Sequence, residues 1–197
     1  MNITKNEKLF IISYFSGING CCPAEWADDK VDSYQKNGKT VILLSSVCSK
    51  NINSTGVFHY RVPSLSFLDW RAERAELKAN DAIIPLSMYF VLPFVITLGI
   101  LLDYIQKKKT DGVGGGKWSW TFSAAPVALY ILLRHGRIPI LTTGGPASAH
   151  LVGVICKFLT KVVVVAELQD PLCGEEIGRN SSSASMLAKV ERIMARY

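Results

Sequence analysis

The chain has 197 residues, room for one ordinary domain and little more. With 49% hydrophobic and 19% charged residues it has enough apolar surface for a core and too little charge for a disordered chain, so a large multidomain machine and an unfolded tail are both excluded. The formal charge of +6 is unevenly placed: between Tyr104 and Lys161 eight basic residues stand against Asp111 alone, and the remainder sums to about −1. Such a local excess suits an anionic partner, either phosphate groups or an acidic membrane surface. The five cysteines (Cys21, Cys22, Cys48, Cys156, Cys173) are odd in number and form no C-x-x-C pair, which reads as a reducing, cytosolic compartment. Met1 to Lys8 is polar and leads into a short apolar run with no small-residue cleavage site, which argues against a secretory signal.

In chain order, Leu9 to Phe15 is an apolar run stopped by Ser16-Gly17-Ile18-Asn19-Gly20, the pattern of a buried strand entering a glycine loop. Ala24 to Lys36 reads as a helix closed by Asn37-Gly38, and Thr40 to Ser46 as a second buried strand. A third strand is expected around Val57 to Pro63. Ala82 to Leu102 is 21 residues without a charge, followed closely by Lys107-Lys108-Lys109. That length can cross a bilayer, yet Pro85 and Pro93 lie inside it, so a buried or membrane-dipping helical hairpin with the lysines at anionic head groups is the competing reading. Further strands are expected at Ile138 to Thr142 and Val162 to Leu168, with a helix at Ala147 to Leu159 between them. After a Ser-rich stretch, Met186 to Tyr197 reads as an amphipathic helix. Apolar strands alternating with helices predict an α/β fold, a Rossmann-like parallel sheet with helices on both faces.

Three loops carry candidate chemistry. Gly17 and Gly20 follow the first strand, where a parallel sheet places its ligand crevice; glycines there let backbone N–H groups approach a phosphate, though an ordinary tight turn has the same pattern. Thr142 to His150 places a second glycine turn, with Gly145 and Ser148, at another strand end. His150 in the first turn of a helix is biased to the neutral imidazole, suited to a sugar hydroxyl or a phosphate, while a lone histidine also serves structure. Asp170, held extended before Pro171, is an aimed carboxylate or a turn cap. Gly112 to Ser119 does not make a phosphate-binding P-loop, because Asp111 and Trp118 stand where glycine and Ser/Thr are required and no apolar strand precedes it; it reads as a surface hinge.

The succession LFIISYFSG, YRVPS, WSW…AAP, ILTTGGPASAHLVG and VVVVAELQDPL resembles the N-terminal domain of GT-B glycosyltransferases of family 4, of the type that builds bacterial surface polysaccharides. The most specific pair, GPASAHLVG and AELQDPL, is similar to that family's S-x-P-x-S-x-H-L-x-G and E-x-R-D-P-W, with Gln169 in place of arginine and Leu172 in place of tryptophan. The resemblance implies retaining transfer from a nucleotide sugar to a lipid-linked glycan acceptor in polysaccharide biosynthesis. It assigns His150 and Asp170 to catalytic contacts, Gly17 and Gly20 to donor phosphates, and Gly145 and Ser148 to the acceptor, with no metal or other cofactor. Residues 1–197 are then one acceptor-side domain, expected to be peripheral or monotopic at the cytoplasmic membrane face. Its partners would be the nucleotide sugar, the lipid-linked acceptor and the cytoplasmic membrane surface, and not nucleic acid; as an acceptor-side half it is a fragment, a remnant or one part of a split enzyme, the last with its donor domain on a separate chain. Two rival readings are a non-catalytic membrane-associated subunit or truncated remnant, and a small protein spanning once through Ala82 to Leu102.

Overall fold

A computed structural model describes residues 7–18, 21–52, 54–110, 117–144 and 146–168. Five strands, β1 (Lys8–Ile12), β2 (Thr40–Ser46), β3 (Val57–Val62), β4 (Ile140–Thr143) and β5 (Val164–Glu167), form one sheet in the order β3-β2-β1-β4-β5. Every neighbouring pair is parallel. The helices are α1 (Cys22–Lys36), α2 (Phe67–Ala79), α3 (Leu86–Thr110), α4 (Trp120–His135) and α5 (Ala147–Thr160). This is the α/β, Rossmann-like architecture the apolar strands predict.

Alternation along the central strands divides the core. Phe10, Ile12, Ile42 and Leu44 face one side and pack with Trp120, Ala128 and Ile131 of α4 and Ala149, Val152 and Cys156 of α5. Leu9, Ile11, Val41 and Leu43 face the other and pack with Val31 of α1. Because helices cover both faces of the central strands, β1, β2 and β4 are apolar through their middles and turn polar at their C-terminal ends, where Ser13, Ser45, Ser46, Thr142 and Thr143 are all buried, whereas the edge strand β3 carries His59 and Arg61.

Between β3 and β4 the chain makes a long excursion through α2, α3 and α4. Ser66 caps α2, its Oγ accepting from the Asp69 N–H at 3.3 Å and donating to the Asp69 carboxylate at 2.8 Å. The charge-free segment forms most of α3, which runs unbroken through Pro93 and returns along α2. Trp70 Nε1 donates to the Met88 carbonyl, and Met88 and Val95 pack with Trp70, Leu77 and Val47. A Cβ at Gly99 would lie 2.9 Å from the Phe67 nitrogen, so only glycine admits this approach of the two backbones. Asp103 accepts from the Leu68 N–H at 3.1 Å, placing a carboxylate at the N-terminal end of α2, where the helix dipole favours it. The segment 82–102 therefore does not fold into a hairpin of its own, because Pro93 is accommodated without a break; most of it is a single helix that packs along α2.

The far side of α3 has no partner among the described residues. Phe90 is 76% exposed, and Phe94, Ile96, Ile100 and Leu101 lie open beside it. Leu86–Ile105 is 20 residues of mean hydropathy 2.0, long and apolar enough to cross a membrane by length and composition. The strand limits shift modestly. Pro139 supplies no N–H, so β4 starts at Ile140 and not at Ile138, and β1 ends at Ile12, three residues before Phe15. The amphipathic stretch Met186 to Tyr197 and residues 112–116 of the hinge read at Gly112 to Ser119 lie outside the described residues.

Candidate functional site at the strand ends

The strand order reverses between β1 and β4, so the loops after these two strands diverge and leave a crevice, the usual ligand position in an open α/β sheet. The loops touch at its floor. Gly144 has φ +108°, and a Cβ there would stand 3.0 Å from Ser13 Oγ, which itself donates to the Phe15 carbonyl at 2.6 Å. A side chain at 144 would be strained by its backbone and would also press on Ser13.

On the β1 side, Asp28 of α1 clamps the loop, accepting from Ser16 Oγ at 2.7 Å and from the Gly17 N–H at 2.7 and 3.0 Å. Gly17, at φ +65°, lies against Lys50, where a Cβ would come within 2.8 Å of the Lys50 Cβ. Gly17 therefore sits at the expected crevice, but its N–H is already committed to Asp28.

On the β4 side, α5 begins without a side-chain cap after Pro146. The Ala149 N–H turns to the Pro146 carbonyl at 3.2 Å, those of Ala147 and Ser148 have no helical carbonyl one turn earlier to bond, and the aligned peptide dipoles make this end attractive to anions. Ser148, in that first turn, is 1% exposed, and its Oγ has no hydrogen-bond partner among the described residues. A buried hydroxyl left unpaired costs stability, so its place beside an uncapped helix end is the feature that asks for a ligand. His150 is also buried, with Nδ1 2.8 Å from Thr142 Oγ1. Desolvation lowers its pKa to about 4, with a Gly144 backbone hydrogen bond acting the other way, so the ring is neutral and ties the start of α5 to the end of β4. In this arrangement it positions the anion-attracting turn from behind.

Glu167 at the end of β5 accepts from Thr143 Oγ1 at 2.9 Å and pairs with Lys30 of α1 at 2.8 Å. Burial would raise this carboxyl, but the hydrogen bonds from Lys30 and Thr143 outweigh it and hold the pKa below the ordinary value. Gly20, Gly145 and Asp170 lie outside the described residues. Among the described residues, no three His, Cys, Asp or Glu side chains are grouped to hold a metal ion.

Two further features were not marked in the sequence. Under the crevice, Glu73 of α2 accepts from Tyr14 Oη and Ser64 Oγ, both at 2.7 Å, and from the Ser64 N–H at 2.9 Å. Desolvation raises its pKa to about 7 in spite of these bonds. Beside Gly17 a cavity of about 570 Å³ opens, lined by Cys48, Lys50, Arg61, Glu76 and Asn80 among others. No periodicity marks Glu73 or Arg61: Glu73 is a carboxylate turned inward on a helix, and Arg61 lies in a strand at the sheet's edge.

Compared with known proteins, the chain matches no family model and no curated protein. The fold and the crevice define a Rossmann-like α/β domain with an anion-attracting helix start at its topological switch point.

Proposed function

We propose that these residues are the acceptor side of a retaining, nucleotide-sugar-dependent GT-B glycosyltransferase that extends a lipid-linked glycan at the cytoplasmic membrane face. The observation that carries this reading is the uncapped start of α5 at the switch point, with the unpartnered Ser148 hydroxyl in its first turn. That site suits an anionic sugar derivative. The motif resemblance around GPASAHLVG adds the reaction class.

Under this proposal the residues that grip the nucleotide belong to a second domain. The 197 residues alone should then show no turnover with UDP-, GDP- or ADP-sugars, and should gain it when fused to a matching donor domain. Clear transfer by the purified chain alone would sink the half-enzyme reading. A second reading, a non-catalytic membrane-associated subunit, draws on the open face of α3 and would be favoured if no donor domain restored transfer.

Membrane attachment in either case is expected to combine the apolar stretch of α3 with the lysines in its last turn. Each lysine near an anionic leaflet contributes on the order of 1 kcal/mol, and each apolar side chain inserted about 1.5–3 kcal/mol. Replacing Lys107, Lys108 and Lys109 with Gln, together with Phe90→Ser and Phe94→Ser, should move the protein from the membrane pellet into a carbonate wash. Retention of this five-site variant through the wash would show α3 to span the bilayer, against monotopic attachment.

A further inference from the structure

The cavity beside Gly17 shares Gly17 and Ile18 with the loop that borders the crevice, but it extends away from β4. It lies off the ends of β2 and β3, under the turn that joins α2 to α3. Its volume of about 570 Å³ falls within the range of small-molecule sites and far exceeds the roughly 30 Å³ that a single water occupies. Its polar lining combines two cations, Lys50 and Arg61, with one carboxylate, Glu76, and two amides, Asn51 and Asn80.

Arg61 is the informative member. It is partly buried, it donates through Nη1 to the Ser49 carbonyl at 3.0 Å, and no carboxylate lies within ion-pair distance of it among the described residues. A guanidinium has five N–H donors in a fixed fork that matches phosphate oxygens, and one carbonyl occupies only part of that capacity. Burial without a counter-charge lowers its proton affinity, which a bound anion would restore.

The cavity's other wall is apolar: Ile18, Leu77, Ala82 and Ile83. Ile83 is 91% exposed at the rim, and Leu86, three residues on, opens the exposed face of α3. A polar, cationic interior therefore continues outward into the apolar surface expected to meet the membrane.

We propose that this cavity binds the head of an amphiphile, a phosphate bearing a sugar or polyol. The phosphate would meet Arg61 and Lys50, the hydroxyls would meet Glu76, Asn51 and Asn80, and the apolar chain would leave over Ile83 and Leu86. The proposal deepens the membrane-face reading above by naming a site for the lipid-linked substrate, and it rests on that reading only for the direction of the chain.

The test uses the full 197-residue protein and needs no transfer reaction. Binding is measured to phosphatidylcholine vesicles carrying either phosphatidylinositol, whose phosphate bears a polyol, or phosphatidylserine at the same charge. Binding to soluble glucose 1-phosphate is measured in parallel. The expected result is about a tenfold preference for the phosphatidylinositol vesicles, with glucose 1-phosphate bound at least about tenfold more weakly. Arg61→Gln should abolish both the preference and the soluble binding, while Arg61→Lys should recover part of each.

Ile83→Asp supplies a variant that leaves the fold intact, because the side chain it replaces is already in solvent; it should weaken the vesicle arm alone. Equal binding to the two charged vesicles would mean surface charge only and would overturn the proposal. Preference retained by a folded Arg61→Gln would do the same. Glucose 1-phosphate bound as tightly as the vesicles, and unaffected by Ile83→Asp, would remove the amphiphile from the assignment. A failed transfer assay with a donor domain would count against the transferase reading and leave these binding results standing.

Discussion

Glu73→Ala is expected to destabilise the protein by about 3–5 kcal/mol, lowering its thermal midpoint by roughly 10 °C. The carboxylate is the acceptor for three donors that have no water to turn to: Tyr14 Oη, Ser64 Oγ and the Ser64 N–H. Removing it leaves β1, the β3–α2 connection and α2 joined at this point by unsatisfied groups. Glu73→Gln should cost less, since its oxygen can still accept from the two hydroxyls, but its NH₂ would meet the Ser64 N–H donor to donor.

The glutamine variant also isolates a pH effect. Glu73 titrates near 7 in the folded state against an ordinary value of 4.5, so between these values the folded state holds more protons than the unfolded one. Stability from this group is therefore full below pH 4.5 and is lost as pH rises through 7, by on the order of 3 kcal/mol in all. His59 and His150 act oppositely. Desolvation takes both from 6.5 to about 4, so the stability they hold is full above 6.5 and lost as pH falls toward 4. The wild-type protein should lose stability in acid, with Glu73 offsetting part of the loss. Glu73→Gln removes the offset, so its deficit in melting temperature should be larger at pH 4.5 than at pH 8. A deficit independent of pH would show that Glu73 does not titrate in this range.

How far the fold could be read from the sequence followed from where burial and local pattern agree. Thr40–Ser46 is buried on both faces and flanked by Gly38, and the predicted strand coincides with β2 residue for residue. In α1, Ala24, Ala27 and Val31 face inward at helical spacing, and the expected helix differs from the observed one by two residues at its start. The sequence pattern predicts no helix over 67–79 or 120–135. In α2 the pattern is partly inverted, with Asp69 and Glu73 buried while Leu68 is 63% exposed, because its inward face meets a polar network and not the sheet. In α4, apolar residues lie on all sides and Pro126 interrupts them, so no 3.6-residue period stands out.

The candidate site was legible to a lesser extent. The two crevice loops could be placed because parallel sheets put ligands at strand ends, and Gly17, Ser148 and His150 do lie there. What each contributes depends on contacts distant in sequence. Asp28 takes the Gly17 N–H from eleven residues away, and Thr142 holds His150 from eight. Arg61 is the clearest omission: its neighbours in β3 alternate without any sign that its guanidinium lines a cavity. That follows from Lys50 and the α2–α3 turn, separate parts of the chain that meet only in the fold.

Ser148→Ala should separate function from stability at the crevice more sharply than any other change. In most buried positions the loss of a hydroxyl breaks a hydrogen bond and costs about 1 kcal/mol. Here the Oγ has no partner among the described residues, so replacing it with a methyl group removes an unpaired polar atom at nearly constant volume, and the melting temperature should hold or rise slightly. If the hydroxyl and the first N–H groups of α5 hold a charged group of the reacting sugars, the same variant, fused to a matching donor domain, should lose about 100-fold in transfer rate, the scale of removing one positioned donor. His150→Ala should behave differently: it empties the space behind α5 and leaves Thr142 Oγ1 without its ring partner, so stability and rate should fall together. His150→Gln, which can still reach Thr142, should recover part of both. A Ser148→Ala protein that transfers sugar at the normal rate would show that the uncapped end of α5 does not bind the substrate, and the anion-binding role would pass from this crevice to the cavity lined by Arg61.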